Sequence, residues 1–131
     1  MRKIEQAMTD AVKHRRYWHA HNTQVIPELR QDGKPLACVL LNDIHFATAG
    51  YRTASVDDPV SRWYTVESLS VSLAGWNTPM MRSRIRALLS LYPGYIIYTQ
   101  RGGCYILDRN TGRKHVFLRN TEWVSIPFLP E

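Results

Sequence analysis

The sequence has few cysteines and no long apolar run, and both absences limit what the protein can be. Its two cysteines, Cys38 and Cys104, lie in apolar, strand-like stretches, which favours buried free thiols in a reducing compartment over a disulfide. No apolar run approaches the roughly 18 residues of a membrane-spanning helix, and the N-terminal segment is charged from its second residue. We therefore expect a cytoplasmic protein that does not associate with a membrane.

The sequence also lacks a recognisable catalytic signature. No serine or cysteine stands in a glycine-rich elbow, and Gly102-Gly103 is too short to form a phosphate-binding loop. A metal-dependent nuclease needs clustered carboxylates, for which the candidates are Asp43, Asp57, Asp58 and Glu67. Leu69 stands where a restriction-type strand would carry a lysine, two residues after Glu67, and Asp57-Asp58-Pro59 is typical of a turn.

The histidines offer one spacing that resembles a metal site, at His14, His19 and His21. A zinc site usually adds cysteine or carboxylate ligands at about 2 Å, and both cysteines lie far from these histidines in the sequence. We therefore expect neither a metal ion nor another cofactor, and we expect the protein not to be an enzyme.

The chain is basic, and its charge is unevenly distributed. At 131 residues, 44% of them hydrophobic, it suits one folded domain over residues 1–131. The formal net charge is +6, with +3 in residues 1–34 (7 basic, 4 acidic), −2 in residues 35–73 (2 basic, 4 acidic) and +5 in residues 74–131 (8 basic, 3 acidic). Arginine supplies 13 of the 17 basic residues, and its guanidinium pairs with phosphate and stacks on bases. The composition therefore favours a polyanionic partner, either nucleic acid or an acidic protein surface.

The clearest element is an amphipathic helix that begins at Pro79. Thr78 can cap its N-terminus, and proline fits the first helical position. An apolar stripe follows at helical spacing, formed by Met81, Ile85, Leu88 and Leu89. Arg82 and Arg86 stand one turn apart on an adjoining face, with Arg84 pointing elsewhere. Two arginines on one face suit contacts with neighbouring phosphates. Charged residues beside an apolar stripe are, however, also typical of the solvent-facing side of any amphipathic helix.

A first helix is predicted from residue 3 to about residue 18. Its apolar stripe is formed by Ile4, Ala7, Met8, Ala11 and Val12. Arg15 and Arg16 lie in the predicted last turn, where positive charge suits the helix dipole. Trp18 follows them. An aromatic ring beside two arginines is typical both of a platform that stacks unpaired bases and of a tryptophan that closes a helix onto a sheet.

Most of the remaining chain shows strand patterns separated by turns. Strands are predicted at residues 23–29, 36–41, 44–48, 63–73, 95–99, 104–107, 114–118 and 123–128. Asp32-Gly33 predicts a hairpin, Pro27 predicts an edge or interrupted strand, and residues 50–61 form the longest predicted loop. The predicted fold class is α+β, with two helices packed on one face of a mostly antiparallel, twisted sheet of six to eight strands.

Basic hairpin tips beside tyrosines supply further candidate binding residues. Arg101 lies at the tip of the predicted hairpin that carries Tyr98 and Tyr105, and Arg109 and Arg113 lie at the next tip. In single-stranded nucleic acid, arginines meet phosphates and aromatic rings stack on bases. The predicted nucleic-acid-binding residues are Arg15, Arg16, Trp18, Arg82, Arg86, Tyr98, Arg101 and Tyr105.

Two parts of the sequence resemble a family of small bacteriophage proteins. They are the opening MRKIEQAMTDAV, with a tryptophan and NTQV after it, and the strand that leads into GWNTPMMRSRIRALLS; together they cover residues 1–25 and 66–91. The resemblance implies a phage origin and action inside the infected bacterium, and it implies no particular activity. The sequence departs from the family pattern at Pro79-Met80-Met81, where small hydroxyl residues are expected.

The function favoured by the sequence is sequence-tolerant, non-enzymatic binding of nucleic acid by a phage protein, with single-stranded DNA or RNA preferred. Two alternatives stay open. The same basic surface fits a small effector that docks on an acidic surface of a host protein, since arginine and tyrosine are enriched at the energetic centres of interfaces. The other alternative is a minor structural component of the phage particle.

Overall fold

The protein forms two helices and nine strands in the computed structural model, which describes residues 2–53, 64–110 and 114–128. The helices are α1 (Lys3–Lys13) and α2 (Pro79–Leu89). The strands are β1 (Trp18–Ala20), β2 (Thr23–Leu29), β3 (Pro35–Leu41), β4 (Ile44–Thr53), β5 (Tyr64–Val71), β6 (Tyr95–Gln100), β7 (Gly103–Asp108), β8 (Lys114–Leu118) and β9 (Val124–Pro127). All pairings of these strands are antiparallel, which confirms the predicted α+β class.

The strands form two sheets, not the single sheet predicted from the sequence. The large sheet has the order β1-β2-β3-β4-β5-β9, and the small sheet has the order β6-β7-β8. The division follows from β9, which pairs with β5 so that Leu69 faces Ile126. Because β9 occupies this edge of β5, β6 cannot extend the large sheet and instead forms the small sheet with β7 and β8.

Both helices contribute to one hydrophobic core, although their main contacts are with different strands. Helix α1 contacts β1, β2 and β5, whereas α2 contacts α1 and β6. The buried apolar side chains of both helices and both sheets form one cluster. Helix α2 therefore connects the core of the large sheet to the inner face of the small sheet.

Helix α2 forms as its sequence predicts. The Thr78 hydroxyl accepts a hydrogen bond from the Met81 backbone N–H at 3.2 Å, and Pro79 occupies the first turn. The predicted apolar stripe is buried, with Ile85 and Leu88 fully inaccessible to solvent. Arg84 is buried as well, which the amphipathic pattern did not predict. Of the three arginines of α2, Arg84 is therefore part of the interior.

Helix α1 ends at Lys13, earlier than the predicted end near residue 18. Arg15 adopts a left-handed conformation with φ of 51°, its backbone N–H donates to the Val12 carbonyl, and the Arg16 N–H donates to the Ala11 carbonyl at 2.8 Å. This is the Schellman arrangement that terminates helices, here with arginine in the position that glycine usually occupies. Arg15 and Arg16 thus lie beyond the helix, and Trp18 begins β1.

The strand predictions at Pro27 and after residue 50 are partly corrected. Strand β2 lies between β1 and β3, but β1 pairs only with residues 23–25, so Pro27 has a strand partner on one side only, as a proline tolerates. Strand β4 continues to Thr53 through a register shift at Gly50/Tyr51, which takes residues 50–53 out of the predicted loop. The rest of that loop, including Asp57 and Asp58, lies outside the described residues.

A buried ion pair holds α1, α2 and β2 together. Glu5 Oε2 lies 2.9 Å from Arg84 Nη1, and both side chains are almost fully buried, at 4% and 3% exposed. The Ser83 hydroxyl donates to the same carboxylate at 2.5 Å, and Arg84 Nε donates to the Thr23 hydroxyl at 3.2 Å. Burial alone would raise the pKa of Glu5, but the bonds from Ser83 and Arg84 and the arginine charge outweigh it and hold that pKa below its usual value. In the described part of the chain, neither helix has the length and apolarity to span a bilayer.

Candidate nucleic-acid interface

Three aromatic side chains form a row across the outer face of the small sheet. Tyr98 of β6 faces Tyr105 of β7, and Tyr105 faces Phe117 of β8. The ring centroids are 5.4 Å apart in the first pair, with planes 18° from parallel, and 5.0 Å apart in the second pair, with planes 36° from parallel. The alternate residues of β7, Cys104 and Ile106, are buried against the core, so the aromatic row lies on the side away from α2.

The aromatic row is accessible and ends beside an arginine. The Phe117 side chain is 42% exposed, and the Arg119 Cζ atom lies 5.6 Å from the Phe117 ring centroid, which is within the range of a cation–π contact. Gly103 precedes Tyr105 on the same face of β7. A Cβ atom at Gly103 would lie only 3.0 Å from Phe117 and 3.1 Å from Tyr105, so a glycine here lets the two rings lean over the strand.

The turn between β6 and β7 places a second arginine at the end of the same hairpin. Arg101 and Gly102 form this two-residue turn, both with positive φ, and Arg101 is exposed. Asn77 donates to the Gly102 carbonyl at 3.1 Å and accepts from Arg82 Nη1 at 2.5 Å. The amide of Asn77 therefore fixes Arg82 of α2 beside the Arg101 turn, although the two arginines are 19 positions apart in the sequence.

A groove opens next to the aromatic row. We call it the Phe117 groove; its volume is about 280 Å³, and its lining includes Leu73, Asn77, Gly103, Phe117, Arg119 and Asn120.

A second groove, of about 420 Å³, lies on the outer face of the large sheet, and its lining includes Ser68, Ser70 and Trp123. The Phe117 groove combines an apolar floor with amide and guanidinium groups.

The other predicted site residues lie elsewhere and have structural partners. Arg15 donates from Nε to the Leu36 carbonyl at 3.1 Å and from Nη2 to the Glu28 carbonyl at 2.6 Å, which ties the end of α1 to the large sheet. Arg16 forms an ion pair with Asp10 at 2.5 Å. Trp18 is half-buried and packs against the core. These contacts favour the structural interpretation of this segment over the stacking platform.

Arg86 also lies away from the aromatic row. It is exposed and lines a groove of about 640 Å³ between α1 and α2, together with Arg2, Glu5 and Ser83. Of the eight predicted residues, the structure therefore groups Tyr98, Tyr105, Arg101 and Arg82 at the small sheet. Arg86 lies on the same helix as Arg82, but it faces the groove between the helices.

Sequence reasoning missed Phe117, Arg119 and Asn77. Phe117 could have been found from the predicted strands at 104–107 and 114–118, because the residue opposite Tyr105 on β8 must share its face, and Arg119 follows two positions later. No local signal marks Asn77, since its contact with Gly102 depends on how α2 packs against the small sheet.

The described residues include possible metal ligands and two free thiols. No group of three or more histidine, cysteine or acidic side chains is positioned to hold a metal ion in residues 2–53, 64–110 and 114–128. Cys104 is buried and Cys38 is half-buried, and both are free thiols. Burial, together with the neighbouring Glu28 carboxylate, raises the pKa of Cys38 to about 11, and burial also raises the pKa of Cys104.

Comparison with known proteins gives a match to a protein family. A family model described as Kyanoviridae Gp96 protein matches residues 1–128, nearly the whole chain. No curated protein and no solved structure gives a significant match. The match confirms the resemblance to small phage proteins that the N-terminal segment and the α2 segment indicated.

Proposed function

The chain belongs to the Kyanoviridae Gp96 protein family, a family of phage proteins. We propose that it binds single-stranded nucleic acid, without catalysis, in the infected bacterium. The observation that carries the proposal is the aromatic row of Tyr98, Tyr105 and Phe117 on an accessible sheet face. Stacking on such rings needs bases that are not already stacked in a duplex, so the row favours single strands.

The charge around the aromatic row fits a phosphate backbone. Arg101 lies at one hairpin tip, Arg119 lies beside Phe117, and Arg82 is held next to the Arg101 turn. These residues belong to the part of the chain with the largest charge excess, 8 basic against 3 acidic residues in 74–131. Arginines that meet phosphates position a strand without reading its bases, so we propose binding that tolerates most sequences.

The salt dependence of oligonucleotide binding tests the proposal. If these three arginines contact phosphates, log K falls with log salt at a slope of about −2.1, or roughly a 20-fold loss between 50 and 200 mM salt. The double variant Arg101→Gln/Arg119→Gln should make the slope shallower by about 1.4. Fluorescence anisotropy with labelled DNA and RNA oligonucleotides measures both quantities.

A matched control separates local contacts from overall charge. Arg16→Gln/Arg30→Gln removes the same charge from two exposed arginines that pair with Asp10 and Asp32, and it should leave the slope nearly unchanged. If the two double variants changed the salt slope equally, the placement of phosphates at Arg101 and Arg119 would be refuted. If neither DNA nor RNA binds even at about 50 mM salt, the proposal is wrong, and the basic face is better explained as a surface for an acidic host protein.

A separate variant tests the contribution of base stacking to the affinity. Tyr98→Ala should weaken binding by about 1–3 kcal/mol and leave the salt slope intact, because stacking releases no counterions. Tyr98→Phe keeps the ring and should retain most of the affinity. A loss that is equal in both variants would show that the hydroxyl, and not the ring, matters.

A further inference from the structure

The Phe117 groove has the size and lining of a site for one planar group. Its volume of about 280 Å³ lies just below the range typical of small-molecule pockets, about 300–1,000 Å³. Buried Leu73 and Leu118 supply an apolar floor, and Phe117 supplies a ring at the wall. A pocket of this size suits a single nucleobase better than a longer ligand.

The rim of the groove carries groups that can recognise a base edge. The Asn77 amide uses one N–H for the Gly102 carbonyl and one lone pair for Arg82, and an amide has a second N–H and a second lone pair. Those two bonds also hold the amide in a fixed orientation. Asn120 also lines the groove. Fixed donor and acceptor groups are what base discrimination requires.

Gly103 keeps the groove open. It lines the groove together with Phe117, and even a single Cβ atom there would lie only 3.0 Å from the Phe117 ring. Its φ is not positive, so the position does not require glycine for backbone reasons. The space itself is therefore the local reason for glycine at this position.

We infer that the Phe117 groove receives one unstacked nucleobase of the bound strand, which gives the protein a base preference at a single position. The inference rests on the proposed function, since it assigns a base-reading site next to the aromatic row. The remaining bases stack on the row without discrimination, so the preference is confined to one nucleotide.

Nucleotide titrations followed by NMR test the inference. The four nucleoside 5′-monophosphates are added to the isotope-labelled protein, with ribose 5-phosphate as the baseless control. We expect at least one nucleotide to shift the backbone amide signals of Gly102, Gly103 and Asn120 saturably, with a dissociation constant on the order of millimolar and differences of at least about threefold among bases. The amide of Gln24 in the large sheet should not move.

A variant links these shifts to the groove. Gly103→Ala should weaken nucleotide binding at least about fivefold, whereas Ser125→Ala, on the large sheet, should have no effect. Asn77→Ala provides a second variant and should reduce the differences among bases. Folding of each variant is checked from the dispersion of its amide signals.

Three outcomes would overturn the inference. Equal shifts with ribose 5-phosphate would identify a phosphate site in place of a base site. Equal affinity for all four nucleotides would exclude discrimination. No shift up to about 10 mM nucleotide, while oligonucleotides still bind, would reject the groove and leave the proposed function standing. Failure of oligonucleotide binding itself would instead count against the proposed function.

Discussion

Replacing Arg84 with methionine should strongly destabilise the protein. The substitution keeps much of the side-chain volume but leaves the Glu5 carboxylate buried without its cation, 4% exposed and bonded only to the Ser83 hydroxyl among its side-chain partners. Removing one member of a buried ion pair typically costs about 3–5 kcal/mol. An unfolding entropy of about 2.1 cal/mol/K per residue gives about 0.28 kcal/mol/K for this chain, so Tm should fall by about 11–18 °C.

A double-mutant cycle measures the coupling directly. Glu5→Leu/Arg84→Met removes both charges, and it should lose less stability than the sum of the two single variants because no buried charge is left unpaired. Thermal unfolding followed by circular dichroism at neutral pH gives the stabilities of the natural protein, the two single variants and the double variant. An unchanged Tm in Arg84→Met, or additive losses in the double variant, would refute the reasoning.

The same pair predicts a pH dependence. Since the pKa of Glu5 is lowered in the folded protein, its ionised form contributes stability that is fully present above the unfolded pKa of about 4.3 and is lost as the pH falls through the lower folded value. The stability difference between the natural protein and Glu5→Gln should therefore shrink below about pH 4. A difference that stays constant down to about pH 2 would contradict this account.

Three further predictions concern the core, metal ions and the thiols. Ile85→Ala and Leu88→Ala should each lower the free energy of unfolding by about 2–5 kcal/mol in urea titrations, whereas Arg86→Ala, which is exposed, should change it by less than about 0.5 kcal/mol. EDTA should change neither Tm nor oligonucleotide affinity, and stoichiometric metal in the purified protein would contradict this expectation. Cys38, with its pKa raised to about 11, and buried Cys104 should react with iodoacetamide at pH 8 only slowly until the protein unfolds.

The elements that could be predicted from the sequence are those whose signals act over a few residues. The cap at Thr78 and the proline after it specify the start of α2 within one turn. The alternation of serine with Leu69 and Val71 specifies β5 and its buried face. Such signals do not say which strands share a sheet, because β6 and β9 both have strand patterns and only the packed chain determines which of them pairs with β5.

The burial of Arg84 also could not be predicted from the sequence. Helical spacing aligns Arg84, and not Arg82 or Arg86, with the apolar stripe of α2, but no local signal indicates the carboxylate that an arginine needs in order to be buried. The partner of Arg84 is Glu5, 79 positions away, so its burial depends on how the two helices pack. The candidate site was predicted where its residues are local, at the hairpin of Tyr98 and Tyr105, and was missed where a neighbouring strand contributes.

Arg15 shows why a basic sequence overstates the charge that a polyanion can reach. Its left-handed backbone ends α1, and its guanidinium is directed to two backbone carbonyls of the large sheet, 13 and 21 positions away. Arg16 is compensated by Asp10, and Arg84 by Glu5. These residues count fully in the net charge of +6, yet each has a partner within the fold. The distribution of accessible arginines around the aromatic row, and not the net charge, is therefore the stronger argument for where a nucleic acid would bind.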